Sequence, residues 1–175
     1  MPTASPCLAT VPRDQPAPSR RSSVPPRFGI TLPDGPGRAD AEAFIRDVYR
    51  RRYGAEIREF MPVLVTFTDD TGIVAAAGYR DAGLSPLFLE RYLAAPVETL
   101  LAGMHGEAPH RTTVVEVGHL ASAGGGEGRQ LIRHLGPHLA AAGFRWVVAT
   151  ITQELRSLFL RLGVTPLTLA AAHPA

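Results

Sequence analysis

Lysine is absent from this sequence. All 18 basic residues are arginine, set against 16 acidic ones, so the formal excess is only 2 positive charges. Arg20, Arg21 and Arg27 lie in a proline-rich stretch and Arg50, Arg51 and Arg52 at the end of a helical pattern, which makes no basic stripe for a duplex; no nucleic-acid partner is expected. Cysteine is almost as scarce. A single Cys7 rules out an intrachain disulfide and a thiolate metal centre, suits the cytoplasm, and leaves no convincing covalent nucleophile. There is no run of about 18 apolar residues to span a bilayer, and the N-terminus lacks the apolar core of a secretory signal. His134 and His138 have the i, i+4 spacing of a metal pair but no third ligand and no intervening Glu, so they read as a solvated helix flank and no metal is expected.

What is present is enough apolar material, 45% of 175 residues, for one domain with its own core. Residues 1–37 are dense in proline, with serine and arginine between, and read as a disordered leader before a single domain over 38–175. Only Phe28 to Leu32 alternates like a strand able to pair with a sheet edge. Asp40 is placed to cap a helix carrying Phe44, Ile45, Val48, Tyr49 and Tyr53 on one face and stopped by Gly54. Met61 to Thr68 and Ile73 to Tyr79, joined by Asp69-Asp70-Thr71-Gly72, have the pattern of a β-hairpin. A helical stretch follows from Pro86 to about Leu101, interrupted at Pro96. Then come a strand (Thr112 to Ala121), a helix (Glu127 to Ala142, closed by Gly143), an apolar strand (Arg145 to Ile151), a helix (Gln153 to Leu162) and a last strand (Thr165 to Ala170). That order predicts an α/β domain, a mixed sheet with helices on both faces.

The most informative stretch is Val114 to Ala121 followed by Ser122-Ala123-Gly124-Gly125-Gly126-Glu127-Gly128-Arg129, which reads as strand, glycine loop, helix. Such a junction aims unpaired backbone N–H groups and the positive end of a helix dipole at one spot, a ready cradle for a pyrophosphate. A plain flexible loop is the competing reading. Glu116, mid-strand among valines, is either a proton acceptor of raised pKa or the partner of Arg80 or Arg111 in a salt bridge that fixes the sheet. By the two-residue period His119 faces away from Glu116, so the two share a site only if Gly118 marks a bulge.

The element order, with Gly124-x-Gly126-x-Gly128 between the central strand and its helix, resembles the GNAT acyltransferase fold. The basic or amide residue that opens that superfamily's loop motif is missing, Ala123 standing in its place, and Arg129 is the available substitute. A closer resemblance, from about Tyr53 to Pro174, is to the thermostable hemolysin family, itself similar in its core to acyl-homoserine-lactone synthases. It rests on Arg51 to Ala55, Pro62-Val63-Leu64-Val65, Ala77-Gly78-Tyr79-Arg80, Leu87 to Leu93, Pro96-Val97-Glu98, Val115 to Ala121 and Phe159-x-Arg161-Leu162-Gly163. The chain departs from that family at His119, where Asn is usual.

The resemblance implies an acyltransferase that moves an acyl group from a thioester, acyl-CoA or the phosphopantetheine of an acyl or peptidyl carrier protein, to a small-molecule amine acceptor. Glu116 and His119 are the candidate catalytic residues. Val117, Gly118, Leu120, Gly124, Gly125, Gly126, Gly128 and Arg129 are the candidate cosubstrate contacts, the first three along the central strand and the rest at the phosphates. Arg80, Glu90, Tyr92, Glu98 and Thr150 are the candidate substrate contacts, with helix-face charge, a core tyrosine and β-propensity as the plain alternatives. Two rivals accompany this reading: an autoinducer-synthase-like enzyme using a carrier protein and an S-adenosylmethionine-type acceptor, and a membrane-active haemolysin without turnover. The first predicts that Arg50, Arg51, Arg52, Arg129 and Arg133 cluster for carrier docking, and a homodimer is an open expectation.

Overall fold

The computed structural model of the chain describes residues 25–170; most of the proline-rich leader, with Cys7, and residues 171–175 lie outside that range. Five strands, β1 (Arg27–Thr31), β2 (Val63–Asp69), β3 (Gly72–Asp81), β4 (Val114–Ser122) and β5 (Trp146–Val148), form one sheet in chain order. Every neighbouring pair is antiparallel except β4 and β5, which are parallel and need the crossover helix between them. The helices are α1 (Arg38–Tyr53), α2 (Val97–His105), α3 (Gly125–Ala141) and α4 (Gln153–Arg161). This is the mixed, helix-covered sheet expected from the sequence.

The two-residue period of the strands sorts the core. Leu64, Ala76 and Ala121 point to one face and pack under Ala41, Ile45 and Val48 of α1. Val65, Phe67, Ala75, Ala77 and Val115 point to the other and pack under Leu131, Leu135 and Leu139 of α3. A third cluster joins Val97 and Leu101 of α2 to Leu87, Leu89, Val114 and Val148. Each fully buried Leu, Ile, Val or Phe among them contributes about 1.5–3 kcal/mol through burial, so the sheet's centre is its firmest part.

Several boundaries differ from the sequence reading. Helix α1 starts at Arg38 with Gly37 as its N-cap at φ 76°, so Asp40 lies in the first turn, where its charge still favours the dipole. The stretch after Pro86 is a short 3-10 turn, Phe88–Tyr92; α2 begins only after Pro96, whose ring ends the preceding turn. Helix α3 begins at Gly125 with Gly124 as its N-cap, so the glycine run is the first helical turn and not a loop. Strand β5 is three residues long, and 164–170 form no strand: Pro166 brings no N–H to a ladder, and Leu169 simply packs against the α2 cluster. His134 and His138 are not a purely solvated flank, since their rings lie against Phe28 at 6.3 and 5.5 Å and His138 meets the Tyr79 hydroxyl at 3.1 Å.

Candidate active site

The ladder between β4 and β5 stops at Glu116↔Val148, while β4 runs on to Ser122. Beyond that pair the ladder ends, and among the described residues no strand lies against the β5 side of Val117 to Ser122. Parallel pairing of three residues is all that joins the sheet to its last strand.

The same stretch of β4 carries a bulge. Gly78 pairs with Gly118 and Ala76 with Ala121, so His119 and Leu120 together oppose the single Ala77. His119 holds φ 52°, the only non-glycine residue at positive φ among the described residues. His tolerates this region better than most side chains, yet the conformation is costly and is retained where the surroundings impose it. The extra residue reverses the facing of the strand. Leu120 packs with the α3 core beside Val117, and His119 turns to the α1 face, the face that Glu116 and Gly118 also occupy. The bulge needed to bring Glu116 and His119 together is therefore present.

The cross-strand glycines make room for what covers them. A Cβ on Gly78 or Gly118 would stand 2.8 or 2.7 Å from atoms of the Met61 side chain, which lies across both. Arg38 fixes that segment by donating to the carbonyls of Met61 and Pro62, each at 2.9 Å, while its Nε pairs with Glu42 at 2.6 Å. Phe60 and Tyr49 then wall the imidazole, their ring centroids 5.6 and 6.4 Å from it. Burial, with Tyr53 alongside, pushes the Tyr49 phenol up to about 12, so it remains protonated. Burial also lowers the His119 pKa, and the Arg80 and Arg38 charges lower it further, so the ring stays neutral. Its Nδ1 is buried with no hydrogen-bond partner among the described residues. Phe60, Met61, Tyr49 and Arg38 have no motif that marks them as site residues; only the register of distant strands gathers them.

Glu116 is 2% exposed, and both its oxygens accept backbone N–H bonds, from Phe88 at 2.7 Å and Leu89 at 2.8 Å. It caps the 3-10 turn. Neither salt bridge weighed for it forms. Arg80, its cross-strand partner, donates from Nη1 to the Pro86 carbonyl at 3.0 Å and leaves Nε buried without a partner. Arg111 goes instead to Glu90, through Nη1 and Nη2 at 2.7 Å each, to Glu98 at 2.7 Å and to the Ala82 carbonyl at 2.8 Å. That pairing holds the Glu90 carboxyl down at about 2, against an ordinary 4.5. Glu90, Glu98 and Arg111 line a surface cavity of about 470 Å³ together with Pro86 and Pro96. Tyr92 packs edge-on to Phe88, 6.1 Å away, apart from the opening.

At the end of β4 the Ser122 hydroxyl bonds the Gly124 carbonyl, and Gly128 sits so close to Ser122 that a Cβ would be 3.1 Å from it. The Glu127 carboxylate folds back over Gly124, 2.7 Å from where a Cβ would stand, so an anion of the chain's own already lies at the α3 N-terminus. Arg129 is exposed beside it, and Thr150 is exposed on the parted segment after β5. Arg50 and Arg51 share Asp47, and Arg52 reaches Glu154 at 3.6 Å, so two carboxylates face these three exposed arginines. Among the described residues no group of His, Cys, Asp and Glu could hold a metal ion, and no helix is long and apolar enough to cross a membrane.

A family model described as thermostable hemolysin matches residues 32–175. Among solved structures, TofI in a ternary complex with an inhibitor and MTA aligns with a TM-score of 0.62 at 18% identity over 83% of each chain. The AHL synthase LasI aligns at 0.55 with 16% identity, over 79% of this chain and 78% of its own. A GNAT family acetyltransferase from Brucella melitensis in complex with acetyl-CoA aligns at 0.51 with 14% identity, over 85% and 92%. No curated protein matches the sequence. At such identities the likeness carries the fold, and the fold is GNAT-like, as the element order led one to expect.

Proposed function

The chain belongs to the thermostable hemolysin family, and we propose that it is an acyltransferase moving an acyl group from a thioester to an amine. The observation that carries this reading is the edge of β4 beyond its ladder with β5: from Val117 to Ser122 the strand is paired to β3 on one side only, and it lies beside a neutral, half-buried histidine.

The pantetheine arm of CoA, or of an acyl or peptidyl carrier protein, adds to that edge as a strand would, and backbone N–H groups of Gly118 to Leu120 polarise the thioester carbonyl. The amine nitrogen attacks the carbonyl carbon. The N–C bond forms, the C–S bond breaks, His119 receives the amine's proton, and the departing thiolate takes a proton from the imidazolium or from water. Glu116 was the other candidate base. With both oxygens on backbone N–H groups it serves better as a positioning residue, holding the Phe88–Tyr92 turn beside the cleft. The first turn of α3, from Gly124 through Gly125, Gly126 and Gly128, receives the donor phosphate with Arg129 at its flank, and Thr150 faces the arm from the other side.

The test is chemical. Purified protein is incubated with octanoyl-CoA and, separately, octanoyl carrier protein and a panel of amines, and free thiol and amide are followed by mass spectrometry. Amine-dependent thiol release is expected. Release that ignores the amine, or none with either donor, removes the reading; liposome leakage surviving His119→Asn would favour a lytic function instead.

A further inference from the structure

The corner where β3 meets the bulge of β4 holds two buried polar atoms that no group among the described residues satisfies, Arg80 Nε and His119 Nδ1. Leaving a buried donor or acceptor unmade is expensive, and native structures pair nearly all of them, so two in one place mark a spot kept for something else. The charges there are lopsided. Arg80 and Arg38 both act on the imidazole. Arg38 is neutralised by Glu42 and spends its remaining nitrogens on Met61 and Pro62. Arg80 has no carboxylate partner among the described residues: the one beside it in register, Glu116, is committed to Phe88 and Leu89. With Nη1 tied to Pro86, the nitrogens left are Nε and Nη2, which point the same way and form the side-on fork that a carboxylate fits with two parallel bonds.

Building on the acyltransferase reading, we infer that the acceptor is an amino acid or close analogue whose carboxylate is held by the Nε/Nη2 fork of Arg80 while its amine faces His119. One carbon separates the amine from the carboxylate in such a molecule, which matches a cation and a neutral base on neighbouring strands of one face. The thioether of Met61, flexible and lying over the adjacent Gly78–Gly118 pair, is the cover that moves as the acceptor enters. The carboxylate supplies the missing counter-charge, and the guanidinium holds the amine in line with the thioester carbon.

Equilibrium binding tests this without requiring turnover. N-octanoyl-L-leucine and N-octanoyl-isopentylamine, which differ by the carboxylate, are titrated into the protein by calorimetry. The carboxylate ligand is expected to bind at least about tenfold tighter, the scale of a charge-assisted bidentate pair. Arg80→Gln should abolish the difference, and Arg80→Lys, which keeps the charge and loses the fork, should restore only part of it. Equal binding of the two ligands to the wild-type protein overturns the inference, as does a preference that survives Arg80→Gln. The two readings fail separately. Thiol release with isopentylamine as readily as with leucine keeps the transferase and discards the amino acid; preferential binding of the carboxylate ligand with no turnover does the reverse.

Discussion

Two guanidinium groups, each a candidate partner of Glu116, have opposite fates. Arg111 bonds two carboxylates and a carbonyl, with four contacts between 2.7 and 2.8 Å. Arg80 bonds one carbonyl and buries a nitrogen with no partner among the described residues. The Arg111 cluster ties the loop after β3 to the 3-10 turn and to α2, and needs nothing from outside the chain. At the Arg80–His119 corner no carboxylate among the described residues answers the guanidinium. A charge that is fully answered reports on folding, and a charge left unanswered in the same neighbourhood reports on what the fold is for.

Breaking the saturated side should cost stability and little else. Arg111→Ala strands Glu90 and Glu98 in a partly dehydrated cluster and is expected to lower the unfolding free energy by about 3 kcal/mol, read by urea titration. A loss under about 1 kcal/mol would put this cluster with ordinary surface pairs and end the contrast. Breaking the unsaturated side should do the reverse. His119→Asn keeps a side chain at ease at positive φ and removes the proposed base; kcat/KM is expected to fall about 100-fold with an unchanged urea midpoint. A fall in the midpoint with intact rates would make the histidine structural.

Acid separates the two regions by sign as well as size. Glu90 is held at about 2, so its contribution is complete above its ordinary 4.5 and is lost as pH drops from 4.5 toward 2. Glu90→Gln should remove that part of the acid slope. His119, whose folded pKa is depressed, gives a loss that begins higher, as pH falls below 6.5 and the unfolded chain takes up the proton first. Its imidazole signal by NMR should titrate below 6.5 in the native protein and move up in Arg80→Gln, because one of the cations opposing protonation is gone; no movement would mean that Arg80 does not face the ring. The smallest effect is expected at α3, where Glu127→Gln takes an anion from the helix N-terminus and should tighten octanoyl-CoA binding by about two- to fivefold.

The fold was legible because its elements are written in local pattern. The Asp69-Asp70-Thr71-Gly72 turn fixes the β2–β3 hairpin, and Leu131, Leu135 and Leu139 announce the buried stripe of α3 by spacing alone. Even the bulge could be anticipated, from a glycine in the middle of an apolar strand. The glycine run was misjudged because three glycines signal a loop by propensity, while in the fold Gly128 is needed for the close approach of α3 to Ser122. The final strand failed for a related reason, β-prone residues with no neighbour able to use them. Glu116 and the two arginines show the limit of local reading. Sequence placed all three near one strand, but which carboxylate answers which cation depends on the Phe88–Tyr92 turn reaching Glu116 first, a meeting of residues 27 and 28 positions apart.

The extra residue in β4 also sets a reading frame for the strand's far end. Up to Gly118 even positions look toward α1, and from Leu120 onward they look toward α3, so Ala121 reaches the α1 core only because one residue was inserted before it. Straightening the strand with every residue kept would restore a regular ladder locally and at once turn Leu120 and Ala121 inside out, carrying Ser122 away from Gly128. The irregularity cannot be tidied away without rewriting everything downstream, so the strained histidine is protected by the packing of its successors.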